Sequence, residues 1–150
     1  RSRSRRVTIF IVRHAERADA ANGSPATMAS DPDLSEAGRL RAELGHALED
    51  AAITEIYVTE YKRTQQTAAP LAKVSGVNAT IVPAKETGTL IARLRSSTGN
   101  SLVVAHSNTL PDIIKALGVS APVTVDDSEY DNLFVVTRGS PAQLIHVHYR

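Results

Sequence analysis

Short β-branched runs alternate with segments of helical periodicity along this 150-residue chain, and this alternation constrains the fold more than any other feature. Four apolar runs have the composition of buried strands and lie at 7–12, 56–58, 79–82 and 101–105. Each precedes a segment whose apolar residues recur at helical spacing, at 35–51, 62–75, 88–96 and 110–117. The pattern predicts an α/β three-layer sandwich, in which helices cover both faces of a mostly parallel central sheet.

Two further patterns refine this prediction. The runs 133–137 and 143–148 flank a turn and predict an antiparallel hairpin at the C-terminal edge of the sheet. Segment 35–51 begins with Ser35, a good N-cap, and we expect one helix there. Its apolar residues fall on a single helical face at Leu40, Leu44 and Leu48.

The charge is unevenly distributed along the chain. The formal net charge is +1, but four arginines lie within residues 1–6, so residues 7–150 carry three net negative charges. Nucleic-acid-binding domains carry basic charge on their folded part, so we expect no nucleic-acid partner. We expect residues 1–6 to form a disordered basic tail and residues 7–150 to form a single domain.

The composition excludes several kinds of protein and site. No apolar stretch approaches the roughly 18 residues of a membrane span. The chain contains no cysteine, which excludes disulfides, thiolate metal sites and cysteine nucleophiles. We expect a soluble protein, either cytoplasmic or exported after processing. The composition does not distinguish a monomer from an oligomer.

Basic side chains follow three of the predicted strands at the point where each strand ends. Arg13 and His14 follow the first strand, Arg63 lies about one helical turn beyond the second, and His106 follows the fourth. In open α/β sheets, ligands bind outside the carboxyl ends of the strands. Two guanidiniums match phosphate oxygens, and two imidazoles add a nucleophile or base and a further donor. The set favours a phosphate group attacked by histidine, with a carboxylate ligand as the alternative.

Four segments of this chain resemble the motifs of a known family. Arg13-His14-Ala15-Glu16 is similar to the Arg-His-Gly signature of the histidine phosphatase superfamily, in its phosphoglycerate-mutase-like branch. Three more segments match the family's motifs in order and spacing, namely LSEAGRLRA at 34–42, YKRTQQTA at 61–68 and VAHSN at 104–108. The chain departs from the family at Ala15, where glycine is common, and it resembles a compact member that lacks a large inserted lid.

The resemblance implies a metal-independent phosphatase without a cofactor. His14 would accept the phosphoryl group, while Arg13, Arg63 and His106, with backbone amides near Ser107, would bind the phosphate oxygens. We expect the two arginines to keep His14 unprotonated, and a protonated His106 to act as a third positive donor. Water would then release phosphate from the phosphohistidine.

The general acid that protonates the leaving group has two candidates. The family usually takes it from the segment after the third strand, where this chain has Glu86, although a solvated glutamate at a helix start is the alternative. Glu16 lies two residues beyond His14, but it would equally serve as a buried partner of Arg13 or Arg17. A substrate with a good leaving group, such as phosphohistidine or an acyl phosphate, needs no strong acid.

Other polar residues have more than one interpretation. Arg17 would either lie at the pocket rim or form a surface ion pair. Segment 129–132 would either border the site or form a turn with Asx hydrogen bonds. The spacing of His146 and His148 on the last strand permits a metal site, but plain strand positions are favoured, and we predict no metal.

These observations predict a phosphatase acting on phosphomonoesters or on protein phosphohistidine. Its partner would accordingly be a phosphorylated small molecule or a phosphoprotein. A mutase is disfavoured, because it must shelter its phosphohistidine from water beneath a lid. The alternative function is a non-catalytic module that binds phosphate or a phosphorylated ligand in the same pocket.

Overall fold

The computed structural model describes residues 6–18, 31–139 and 141–149, and these contain one six-stranded sheet. The strands are β1 (Thr8–Arg13), β2 (Ile53–Val58), β3 (Ala79–Ile81), β4 (Asn100–Ala105), β5 (Asn132–Thr137) and β6 (Gln143–His148). Their order across the sheet is β3-β2-β4-β1-β5-β6. The first four strands are parallel, whereas β5 runs antiparallel to β1 and β6 antiparallel to β5. The predicted mostly parallel sheet with an antiparallel edge hairpin is therefore confirmed.

Helices cover both faces of the sheet. They are α1 (Glu36–Arg41), α2 (Leu44–Ala47), α3 (Lys62–Ser75), α4 (Thr87–Ser96) and α5 (Leu110–Ala116). The strand β1 shows the division, because Ile9 and Ile11 pack in the core beneath α4 and α5, whereas Val12 packs on the α3 side with Leu71. The three-layer prediction is confirmed. No helix in the described ranges combines the length and the apolar character that crossing a membrane requires.

The predicted helix over 35–51 is two short helices, and its buried face differs from the expected one. Leu40 is 71% exposed, so the three leucines do not share a buried face. The inward positions are instead the small residues Gly38, Ala42 and Gly45. A Cβ at Gly38 would overlap the backbone carbonyl of Glu16, so close backbone approach, rather than burial of large side chains, decides this face.

Residues outside the described ranges include part of two predicted regions. Of the predicted basic tail, the structure describes only Arg6, which is exposed. Residues 19–30 of the loop after β1 also lie outside the described residues.

The predicted N-cap of α1 is confirmed, since the Ser35 hydroxyl accepts the Gly38 N–H at 3.0 Å.

Candidate active site

Polar residues from three parallel strands meet at the carboxyl edge of the sheet. Arg13 ends β1 and His14 follows it, Arg63 lies in the first turn of α3 after β2, and His106 follows β4. The His14 N–H donates to the carbonyl of Ala105 at 2.9 Å, and the ring centroids of His14 and His106 are 5.3 Å apart. The structure therefore brings together the four residues that the sequence placed at strand ends.

One ring nitrogen of His14 is hydrogen-bonded to the backbone carbonyl of the next residue, Ala15. Its Nδ1 lies 2.8 Å from the Ala15 carbonyl oxygen, which can only accept, so Nδ1 carries the proton and Nε2 keeps its lone pair. Burial, and then the charges of His106, Arg13 and Arg63, lower the pKa of His14 to about 3. The imidazole is therefore neutral at pH 7, as expected, but burial contributes more to this than the two arginines on which the expectation rested.

Arg13 binds the loop that precedes β5. Its Nη1 donates to the carbonyl oxygens of Glu129 at 2.7 Å and Asp127 at 2.8 Å, and its guanidinium lies 4.0 Å from the ring centre of Tyr130. The Tyr130 ring is 6.2 Å from that of His14. This segment therefore borders the site, in agreement with the first of its two sequence interpretations.

Two further guanidiniums lie at the same edge. Arg63 is 1% exposed, and its guanidinium lies 4.2 Å from the ring centre of Tyr61. Arg17 is 4% exposed, so it does not lie at the surface, where the ion-pair interpretation placed it. Its charge acts on His106, whose pKa it helps to lower. Three buried arginines therefore converge on the site, one more than the family motifs indicate.

His106 is held on one side by a hydroxyl. Its Nε2 lies 2.9 Å from Oγ1 of Thr59, and its Nδ1 is buried without a hydrogen-bond partner among the described residues. Burial, followed by Arg63, Arg13 and Arg17, lowers the pKa of His106 to about 3. The expectation of a protonated His106 is wrong for the protein alone, because burial, and then the charges of the three arginines, disfavour a positively charged ring.

The two candidate acids occupy different surroundings. Glu16 accepts two hydrogen bonds from Arg41, at 2.7 and 2.9 Å, so its partner is neither Arg13 nor Arg17. Glu86 is exposed at the N-cap position of α4, where its backbone carbonyl accepts from Thr89 and Leu90 in the first turn and its side chain makes no cap.

The segment after His106 is a turn that precedes α5. Residues 107–109 form this turn, closed by the Thr109 N–H donating to the His106 carbonyl at 2.9 Å, and α5 begins at Leu110, as the helical spacing predicts. The Ser107 hydroxyl donates to a carboxylate oxygen of Asp127 at 3.2 Å. Ser107 thus links this turn to the loop that Arg13 binds.

Sequence reasoning missed the threonines that support the site. Thr67 accepts the Ala15 N–H at 2.8 Å and donates to the Arg63 carbonyl at 2.7 Å, which joins β1 to α3. Thr59 follows β2 directly, as His14 and His106 follow their strands, and that position was the available signal.

The paired histidines of β6 contact neighbouring residues of the hairpin. His146 stacks on Phe134 and lies 2.6 Å from Oδ1 of Asn132, while His148 pairs with Asp131. Within the described ranges, no group of three histidine, aspartate or glutamate side chains is arranged as metal ligands.

Solved structures of other proteins share the fold of this chain. The α-ribazole phosphatase from Shigella flexneri superposes with a TM-score of 0.76 at 16% identity, covering 95% of this chain and 96% of that one. The protein histidine phosphatase SixA complexed with tungstate gives 0.70 at 19%, covering 94% and 96%. Phosphoglycerate mutase from Bacillus anthracis gives 0.70 at 15%, covering 97% and 92%.

Sequence comparison gives two further results. The search of curated proteins found no match. The family model of the histidine phosphatase superfamily, branch 1, matches residues 9–86, which include His14, Arg63 and the strands that position them. With more than half of the chain matched and the fold shared, this protein belongs to the histidine phosphatase superfamily.

Proposed function

We propose that this protein is a phosphatase that uses His14 as its nucleophile. The observation that carries the proposal is the state of that ring. Its Nδ1 proton is donated to the Ala15 carbonyl and its pKa is about 3, so Nε2 offers a lone pair at neutral pH. A nucleophilic histidine needs this combination.

The reaction proceeds in two displacements. In the first, Nε2 of His14 forms a bond to phosphorus while the bond from phosphorus to the leaving group breaks, and the leaving group departs with the electron pair. In the second, water attacks the phosphohistidine, the N–P bond breaks, and inorganic phosphate is released with the water proton. His14 returns to its neutral state, so no further reactant is consumed.

The charges around His14 suit a phosphate dianion. Arg13, Arg17 and Arg63 bring three positive charges into a site where each is at most 7% exposed. Their fields are screened little by water, and phosphoryl transfer depends mainly on such positioning and charge stabilisation. His106 adds one neutral N–H donor for a phosphate oxygen.

The carboxylates favour substrates with a good leaving group. Glu16 has both oxygens engaged by Arg41, so it presents no free oxygen to a leaving group. Glu86 is exposed and remains the candidate acid for alkyl esters. Phosphohistidine on a protein, acyl phosphates and aryl phosphates need little protonation and are the favoured substrate class.

The test compares His14→Ala with wild type on p-nitrophenyl phosphate and on a phosphohistidine peptide. We expect turnover of both substrates by wild type and a loss of at least about 1000-fold in His14→Ala, because the nucleophile is gone. His46→Ala, an exposed histidine on α2, is the matched control and should keep wild-type rates.

Labelling identifies the intermediate. Brief mixing with a ³²P-labelled phosphohistidine peptide should give protein label that is acid-labile and base-stable in wild type and absent in His14→Ala. Phosphate binding without turnover in wild type would instead support the non-catalytic binding module.

A further inference from the structure

Thr59 lies between β2 and α3, and its side chain contacts His106 behind the site. Its Oγ1 is 2.9 Å from Nε2 of His106 and 3.0 Å from Oγ1 of Thr64. Thr59 is 7% exposed and Thr64 is fully buried, so water does not compete for these hydrogen bonds. The remaining ring nitrogen of His106, Nδ1, is also buried and has no hydrogen-bond partner in the described part of the chain.

The Thr64 hydroxyl has one proton and three acceptors within reach. It lies 2.9 Å from the Tyr61 carbonyl, 3.0 Å from Oγ1 of Thr59 and 3.2 Å from the Thr59 carbonyl, while its own oxygen accepts the Thr59 N–H at 3.0 Å. The two carbonyls also accept from other groups, the first from the Thr64 N–H and the second from the Gln65 amide, so both stay paired when the Thr64 proton lies on Thr59 Oγ1. In that arrangement the Thr59 proton is free for Nε2 of His106, and Nδ1 of His106 keeps a proton for a phosphate oxygen.

We propose that Thr59 is a positioning residue whose hydroxyl donates to Nε2 of His106 and keeps the proton of that neutral ring on Nδ1. The inference rests on the proposed function, because the Nδ1–H is the donor left for a phosphate oxygen. Thr59 itself acts only through His106. Thr64 completes the arrangement by supplying the proton that Thr59 Oγ1 accepts.

The tautomer matters because the ring is neutral. An imidazole with a pKa of about 3 has a single N–H at pH 7, so it donates from one nitrogen only. With that proton on Nε2, Nδ1 would present a lone pair to a negatively charged oxygen, which is repulsive. With the proton on Nδ1, His106 binds the phosphate that His14 attacks through its own unprotonated Nε2.

Nuclear magnetic resonance tests the tautomer directly. Two-bond ¹H–¹⁵N correlation spectra at pH 7 distinguish the two neutral forms of each histidine, and His106→Ala identifies the relevant signals. We expect the Nδ1–H form in wild type and in Thr59→Ser. Thr59→Val keeps the side-chain shape without the hydroxyl, and it should show a mixture or the Nε2–H form. An Nε2–H form in wild type overturns the proposal, whether or not the protein hydrolyses phosphate.

Kinetics provide a second measurement. Removing one oriented donor from such a site costs roughly 100- to 1000-fold, so partial loss of its orientation in Thr59→Val should lower kcat/KM for p-nitrophenyl phosphate by about 10-fold or more. Thr59→Ser should recover most of that loss, and Thr80→Val on the exposed strand β3 is the matched control.

The kinetic outcomes separate the two proposals. An equal loss in Thr59→Ser and Thr59→Val would assign the effect to packing, and wild-type activity in Thr59→Val would remove the role altogether. Either result overturns the positioning role of Thr59. Inactive wild type contradicts the proposed phosphatase, while the tautomer spectra still decide between the two forms of His106.

Discussion

His14 and His106 face each other with opposite nitrogens engaged by the protein. In His14 the Ala15 carbonyl binds Nδ1, and in His106 the Thr59 hydroxyl contacts Nε2. The ring nitrogen that these contacts leave is Nε2 in His14 and Nδ1 in His106. In the proposed function, two chemically identical side chains 5.3 Å apart acquire different roles, attack and binding, from the hydrogen-bond partner that each has behind it.

Glu86 is tested by comparing two leaving groups. Glu86→Gln should slow hydrolysis of an alkyl ester such as glycerol phosphate by about 100-fold, the lower end of what a positioned acid contributes. Hydrolysis of p-nitrophenyl phosphate should change only a few-fold, because its leaving group is stable without a proton. Steady-state kinetics on both esters give this ratio.

Glu16→Gln is the control for that comparison. Glu16 binds Arg41 with both oxygens, so its replacement affects the position of the segment after His14 and should lower both rates by a similar factor. Equal slowing of both esters by Glu86→Gln would remove Glu86 from the mechanism.

At the scale of elements, small residues and long-range backbone contacts set the shape of the site. Gly38 lets α1 lie directly against the backbone of Glu16, two residues beyond His14. The loop before β5 reaches Arg13 because β5 pairs antiparallel with β1, which places its N-terminal end at the same sheet edge. The site is thus enclosed by neighbours that are far apart in sequence.

Gly38→Ala should destabilise the protein by about 1–3 kcal/mol, the usual cost of forcing an atom into a packed contact. The added Cβ would overlap the Glu16 carbonyl, which is a backbone atom and cannot move aside as the end of a side chain can. Gly88→Ala on α4 is the matched control, since nothing lies within 4 Å of a Cβ there. Chemical denaturation measures both, and equal stability of the two variants would contradict the close approach at α1.

The order and type of the elements were predictable, because β-branched runs and helical spacing are local properties. The face of α1 and α2 was not. The leucine pattern indicated a buried stripe, but Leu40 is exposed and glycines face inward, because the backbones of Glu16 and Leu71 approach this face closely. Hydrophobic periodicity does not encode how closely two backbones approach.

The candidate site shows the same limit. Arg13, His14, Arg63 and His106 follow from strand ends and motifs, since parallel strands bring their carboxyl ends together. The burial of Arg17 and the loop bound by Arg13 depend on contacts between distant segments, and no local pattern signals them. The pKa of His106 was misjudged for the same reason, because it depends on the third arginine and on burial.

For the whole molecule, the site is a concentration of buried polar groups between two apolar cores. One core lies beneath α4 and α5, the other beneath α3, and the sheet edge between them contains two neutral histidines beside three guanidiniums. The neutral buried histidines make the free energy of unfolding depend on pH, because the unfolded chain binds protons at pH values where the folded protein does not.

Lowering the pH should therefore destabilise the protein through His14 and His106. Each has a pKa of about 3 when folded and 6.5 when unfolded, so the unfolded state binds more protons between these values. Stability is full above pH 6.5 and falls towards pH 3 by up to about 1.4 kcal/mol per pH unit for each histidine. In His14→Ala the loss between pH 7 and 5 should be smaller by about 2 kcal/mol, measured by denaturant titration at each pH. His106→Ala should behave similarly and Thr80→Val should follow wild type, whereas an unchanged slope in His14→Ala would show that His14 is protonated in the folded protein.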